Sequence, residues 1–226
     1  MDYKISLFQE LADLFNRHGY QLYLVGGSTR DYLLNIPLTD MDLVTDATPE
    51  DTKSFLENAD YTFERFGSVK FKYKDVKFDL TTFRKEAGYV DSRHPNVVFF
   101  TKDIKEDYSR RDITINALYL DKDLKVIDFV NGLNDLNNRL IKMVGDPNKR
   151  IKEDPLRIVR IYRFKFDLNF SIDKELEKVI QERQKVKQTK YIKKNTLNFF
   201  LSRNFFSYNI VSNPFLNNNI SYPFFS

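Results

Sequence analysis

The sequence predicts an α+β fold, a head with a mixed sheet flanked by helices and then a helical neck. Two observations carry this. Short apolar and alternating runs crowd residues 21–130 behind one helical stripe, and from about residue 153 the period becomes helical. Residues 4–18 place Leu7, Phe8, Leu11, Leu14 and Phe15 on one helix face. "QLYLVGG" reads as a strand ending in a glycine turn, 28–35 as a helix and 41–45 as a short strand. Thr48 before Pro49 is an N-cap followed by a first-turn proline. "VKFKYKDVKFDLTTFR" alternates about a tight turn at Lys74–Asp75, the pattern of a hairpin. Residues 85–96 read as an exposed, mobile loop, and "VVFF", "ALYL" and "KVIDFV" as further strands. "DPLRIVRIYRFKF" and "DKELEKVIQERQKVKQ" read as helices separated at "NFS". The expected division is a head over 1–147, a neck over 148–194 and a divergent tail over 195–226. The tail is rich in Asn, Phe and Ser and has neither period nor caps.

The 226 residues are enough for one large domain or two small ones, and 42% hydrophobic with 30% charged residues marks a globular chain. With no cysteine, disulfides, thiolate metal sites and cysteine nucleophiles are excluded. The start, "MDYKISLFQELADLF", is not a secretory signal, and no run approaches the roughly 18 apolar residues of a membrane span. A cytoplasmic protein with no membrane partner is expected. The net charge of +4 is uneven: residues 182–226 carry +6 and the rest −2. That basic end suits either nucleic acid or a solvated helix face.

Three clusters carry chemistry. Asp40 and Asp42, two apart on the expected strand, point to one face, and hard oxygen ligands converging there suit Mg2+. Gly26 and Gly27 permit close backbone approach beside a helix N-terminus that offers N–H groups to an anion. Together these describe a metal-bound triphosphate held beside a strand; taken alone, the same residues are more often a glycine turn and a surface "DMD" on an edge strand. Asp79, facing away from Phe78 and Leu80, is a third candidate metal carboxylate or, as its pattern alone favours, an ordinary exposed strand aspartate. In "SRRDITINALYLD", Arg110 and Arg111 offer forks for phosphate oxygens, while Asp112 and Asn116 can bond a ribose hydroxyl. In "KEDPLRIVRIYRF", Asp154–Pro155 is an ordinary helix start, and Arg157, Arg160 and Arg163 form one basic stripe. Asp154 and Arg157 also make a template for a base edge. Cytosine and adenine both present an amino donor beside a ring-nitrogen acceptor, which uracil and guanine invert.

"GGSTRD" with "TDMDL", "RRDITINAL" and "EDPLRIVR", in this order, resemble the motifs of class II tRNA nucleotidyltransferases (CCA-adding enzymes) and bacterial poly(A) polymerases. The resemblance runs from about residue 20 to 172, with "DFVNGLNDL" and "RLIKMVGDP" between the second and third motifs, and fades after Asp173. It implies a nucleotidyltransferase (polymerase beta-like) head and two Mg2+ ions held by the catalytic Asp40 and Asp42. By that resemblance, one metal lowers the pKa of an RNA 3′-hydroxyl and the second stabilises the leaving pyrophosphate. Gly26, Gly27 and Arg30 would shape the triphosphate pocket beside Arg110 and Arg111, and Glu153, Asp154 and Arg157, with Arg160 on the same stripe, would read the base. The implied partners are the tRNA 3′ end, CTP and ATP. The "DSRHP" stretch resembles the family's loop for switching from C to A. Thr39 stands where the family usually has Lys, and Ile113 where Phe is common. Family members continue through body and tail domains, so a C-terminally shortened member is expected. Poly(A) polymerase activity, or a fragment that binds RNA or nucleotide with little activity, are the alternatives.

Overall fold

A computed structural model describes residues 2–89 and 95–186. The described residues up to Glu182 form one compact unit. In chain order the elements are α1 (Tyr3–Arg17), β1 (Leu22–Val25), α2 (Gly26–Leu33), β2 (Asp42–Thr45), α3 (Pro49–Thr52), β3 (Ser68–Tyr73), β4 (Val76–Thr82), β5 (Arg84–Tyr89) and β6 (Pro95–Phe100). There follow α4 (Ile104–Ser109), β7 (Leu118–Leu120), β8 (Val126–Asp128), α5 (Gly132–Asn137), β9 (Leu140–Ile141), α6 (Pro147–Glu153), α7 (Arg157–Leu168), β10 (Ser171–Ile172) and α8 (Lys174–Val186). The α+β expectation stands.

Six strands form a mixed sheet in the order β3-β4-β2-β1-β7-β8, with β2 and β4 parallel and the other neighbours antiparallel. Alternation gives the sheet two different faces. Leu24, Leu43, Phe78 and Leu80 pack with Leu7, Phe8, Leu11 and Phe15 of α1. Val25, Val44, Phe83 and Tyr119 line a smaller cluster with Ile104 and Tyr108. Asp42, two residues before Val44, belongs to this second face. The hairpin turns at Lys74 and Asp75, both at positive φ (44° and 69°), as two-residue hairpins require. Thr48 caps α3 through a capping box with Asp51.

Several expectations change. α2 begins at Gly26 rather than 28, because Gly26 takes φ +67° and turns the chain from strand to helix without a loop. Asp40 lies outside β2, which starts at Asp42. The loop expected over 85–96 is for the most part a hairpin: Arg84 pairs with Phe100, Lys85 with Phe99 and Ala87 with Val97. Cross-strand backbone pairing with the β-branched partner, rather than the weak strand propensity of "KEAGY", makes β5 a strand. Residues 90–94 of that stretch, and the expected segments 187–194 and 195–226, lie outside the described residues. Asp154 closes α6, a helix that was not anticipated, and α7 begins at Arg157 after a tight turn. The Asp154 carboxylate accepts from the Leu156 amide at 2.9 Å and so closes the turn before α7, but the N-cap of that helix is Leu156, not Asp154 as expected. The head–neck division at 147/148 runs through one shared core, in which Ile113, Ile115 and Leu136 pack with Ile151, Ile158 and Ile161.

Candidate active site

The first cluster gathers where β1 runs into α2. Parallel pairing of β2 with β4 sets Asp42 directly across from Asp79, so both carboxylates leave the same sheet face. Buried Met41 separates Asp42 from exposed Asp40. A Cβ placed on Gly26 would lie 3.5 Å from Asp42 Oδ2, and one on Gly27 would lie 3.9 Å from it and 3.6 Å from an Arg30 guanidinium nitrogen. The start of α2 and the Asp42 carboxylate therefore share one small space, as the sequence spacing suggested. Burial, and then the charges of Asp79 and Asp40, push the Asp42 carboxyl up to about 6 against the opposing pull of Arg111 and Arg30. Such a carboxylate is short of positive charge, and a hard divalent cation is the partner its oxygens would accept. Asp79 also pairs with Lys70, 3.3 Å away. Among the described residues no three His, Asp or Glu side chains are clustered to hold a metal by themselves.

The second cluster is organised by a residue that the sequence reading passed over. Asp107 of α4 is fully buried and accepts from Arg110 Nε and an Arg111 terminal nitrogen, each at 2.8 Å, and from Tyr119 Oη at 2.9 Å. Burial alone would raise its carboxyl. Arg111, Arg110 and the Tyr119 hydroxyl more than reverse that and hold it at about 2. Arg110 and Arg111, expected as open phosphate forks, are thus braced from behind by one carboxylate. The signal was present as Asp-x-x-Arg-Arg, the i, i+3, i+4 spacing that brings side chains onto one helix face. Arg30, 8% exposed, is fixed in turn by Asn116 Oδ1 at 2.9 Å and by Asp31 at 2.7 Å. Asn116 is thereby engaged within the fold.

The third cluster joins the base-reading motif to the second. Asp112 bridges Arg157 and Arg160, with closest approaches of 2.8 and 2.6 Å. Arg157 Nε stands out of line for a hydrogen bond to Asp112, so that contact is an ion pair. Another Arg157 nitrogen donates to the Arg150 carbonyl at 2.9 Å and to Glu153 at 3.3 Å. Asp154, 4% exposed, takes Arg160 at 2.7 Å. Arg150, also unforeseen, donates to the carbonyls of Arg110 and Arg111 and so ties α6 to the second cluster. The structure brings Asp112, Glu153, Asp154, Arg157 and Arg160 into one charged network, and Asp112 faces arginines.

Residues 22–142 match the model of the poly A polymerase head domain. A CCA-adding enzyme of Staphylococcus haemolyticus is 37% identical over 214 residues, covering 88% of this chain and 53% of that protein. One of Lactobacillus helveticus is 41% identical over 164 residues, covering 73% and 41%. Among solved structures, the Bacillus stearothermophilus CCA-adding enzyme in complex with CTP superposes with a TM-score of 0.73 at 32% identity, over 80% of this chain and 43% of that one. The chain spans about half the length of the curated relatives it matches. Coverage of 88% of this chain is too long to fit within its first 173 residues, so that likeness reaches past the Asp173 limit read from the motifs. No described helix is long and apolar enough to cross a membrane.

Proposed function

The chain belongs to the poly A polymerase head domain family, and from that premise we propose that it is a template-independent nucleotidyltransferase adding C, C and A to tRNA 3′ ends from CTP and ATP. The observation that carries this reading is the Asp42 carboxylate, in register with Asp79 and pressed against the glycine turn of α2. Asp40 and Asp42 would hold Mg2+, with Asp79, in register with Asp42 and paired with Lys70, adding negative charge beside them. When bound there, two such ions favour loss of the attacking 3′-hydroxyl's proton and stabilise the departing pyrophosphate. Gly26 and Gly27 leave room for phosphate oxygens beside the free N–H groups of the α2 N-terminus. Arg30 and Arg111, whose charges act on Asp42, supply fixed positive charge next to that space, with Arg110 sharing the Asp107 brace, so little reorganisation is needed when charge builds on the α-phosphate. Asp154 accepts from the exocyclic amino group of C or A, and Arg157 donates to the adjacent ring nitrogen. Against U or G the same pair sets donor against donor and acceptor against acceptor, so both hydrogen bonds to the base edge are lost. Glu153, Asp112 and Arg160 hold that pair in place.

Primer extension tests the reading. The purified chain, Mg2+ and a tRNA ending before CCA are offered CTP, ATP or both, with Asp42→Ala as control. Addition of CC and then A, lost in the control, is expected. Long A tails would reassign the chain to poly(A) synthesis, and no incorporation under any condition would refute transferase activity for this chain.

A further inference from the structure

Resting on that reading of the site, we propose that Ser28 is a positioning residue that sets the spacing of the two metal-holding aspartates. The reason lies in where the sheet stops. β1 pairs with β2 only as far as Leu24 opposite Leu43, because the chain then swings into α2. Beyond that point β2 has lost its neighbour on one side, while β4 continues on the other through the Asp79 amide and the Met41 carbonyl at 3.0 Å. On the side that β1 has left, the Asp42 amide and the Asp40 carbonyl need partners. Ser28, third residue of α2 and 3% exposed, supplies both. Its Oγ accepts from the Asp42 amide at 2.8 Å and donates to the Asp40 carbonyl at 3.1 Å. A single hydroxyl thus replaces a missing strand and clamps the backbone on both sides of Met41. It also fixes Asp40 and Asp42 relative to the glycine turn, since Ser28 follows Gly27 directly. Met41 points the other way into the core, and among the described residues these two bonds are the hydrogen bonds seen between α2 and the backbone of residues 40–42.

Thr29 provides the control. It is fully buried on the same helical turn, and its hydroxyl has no hydrogen-bond partner among the described residues. The experiment titrates Mn2+ into the full chain and follows free Mn2+ by electron paramagnetic resonance, with the thermal midpoint of every variant recorded. Ser28→Ala is expected to weaken Mn2+ binding by roughly tenfold or more, the usual effect of losing a group that orients metal ligands. Ser28→Thr, which keeps the hydroxyl, retains most of the affinity, and Thr29→Val binds as the wild type does. If Ser28→Ala melts below the assay temperature, Ser28→Cys, with a weaker donor and acceptor of similar size, carries the test and gives an intermediate loss. Wild-type affinity in a folded Ser28→Ala or Ser28→Cys variant overturns the role of Ser28 alone. So does an equal loss in Thr29→Val, because a nonspecific disturbance of α2 would then suffice. A wild-type chain that binds no Mn2+ overturns the metal site, and this inference with it.

Discussion

Replacing Asp42 by Asn should stabilise the metal-free protein at neutral pH. Folding raises the Asp42 carboxyl from 3.8 to about 6, because the group is largely buried and faces Asp79 and Asp40. An acid whose folded pKa lies above its unfolded value costs stability whenever it is ionised. The full penalty applies above pH 6; it shrinks as pH falls through 6 and is gone near 3.8. About two pKa units at ~1.36 kcal/mol each give about 3 kcal/mol. Solvent at this partly exposed site screens some of that, leaving about 1–3 kcal/mol. Urea unfolding in EDTA at pH 7.5 should therefore place Asp42→Asn above the wild type by this amount, and the gap should narrow at pH 5. Saturating Mg2+ should narrow it at pH 7.5 as well, by stabilising only the chain with the carboxylate intact. An Asn variant no more stable than wild type at pH 7.5, or a gain that persists unchanged at pH 5, would refute the reasoning.

Asp107 titrates in the opposite sense. Its folded pKa of about 2 lies below the unfolded value, so its contribution is present above about pH 4 and lost as pH falls toward 2. Asp107→Ala removes the buried partner of two arginines and should cost about 3–5 kcal/mol in urea unfolding at pH 7, a loss that shrinks below pH 4. The two glycines should separate fold from function. Gly26→Ala forces a side chain into φ +67° and should cost about 1–2 kcal/mol. At Gly27 a methyl group meets only ordinary contacts, so Gly27→Ala should keep or slightly raise thermal stability while weakening CTP binding measured by calorimetry. Undiminished CTP affinity in Gly27→Ala would remove the phosphate role of that position.

The sequence by itself determined what depends on neighbours along the chain. The α1 stripe, the Lys74–Asp75 turn and the Thr48 cap all follow from spacings of a few residues. The alternation that put Asp79 opposite Phe78 and Leu80 is of the same kind. Tertiary structure decided who faces whom across long separations. It put Asp112 against Arg157 and Arg160, Asn116 against Arg30, and Arg150 against the carbonyls of Arg110 and Arg111. It also buried Asp107, whose spacing to Arg110 and Arg111 is written in the sequence but whose burial is not. Local periodicity encodes which side of an element is apolar, but a charged or polar group's partner depends on how elements dock. A hydroxyl such as that of Ser28 gains its role only where a strand happens to end, and no local pattern marks that place.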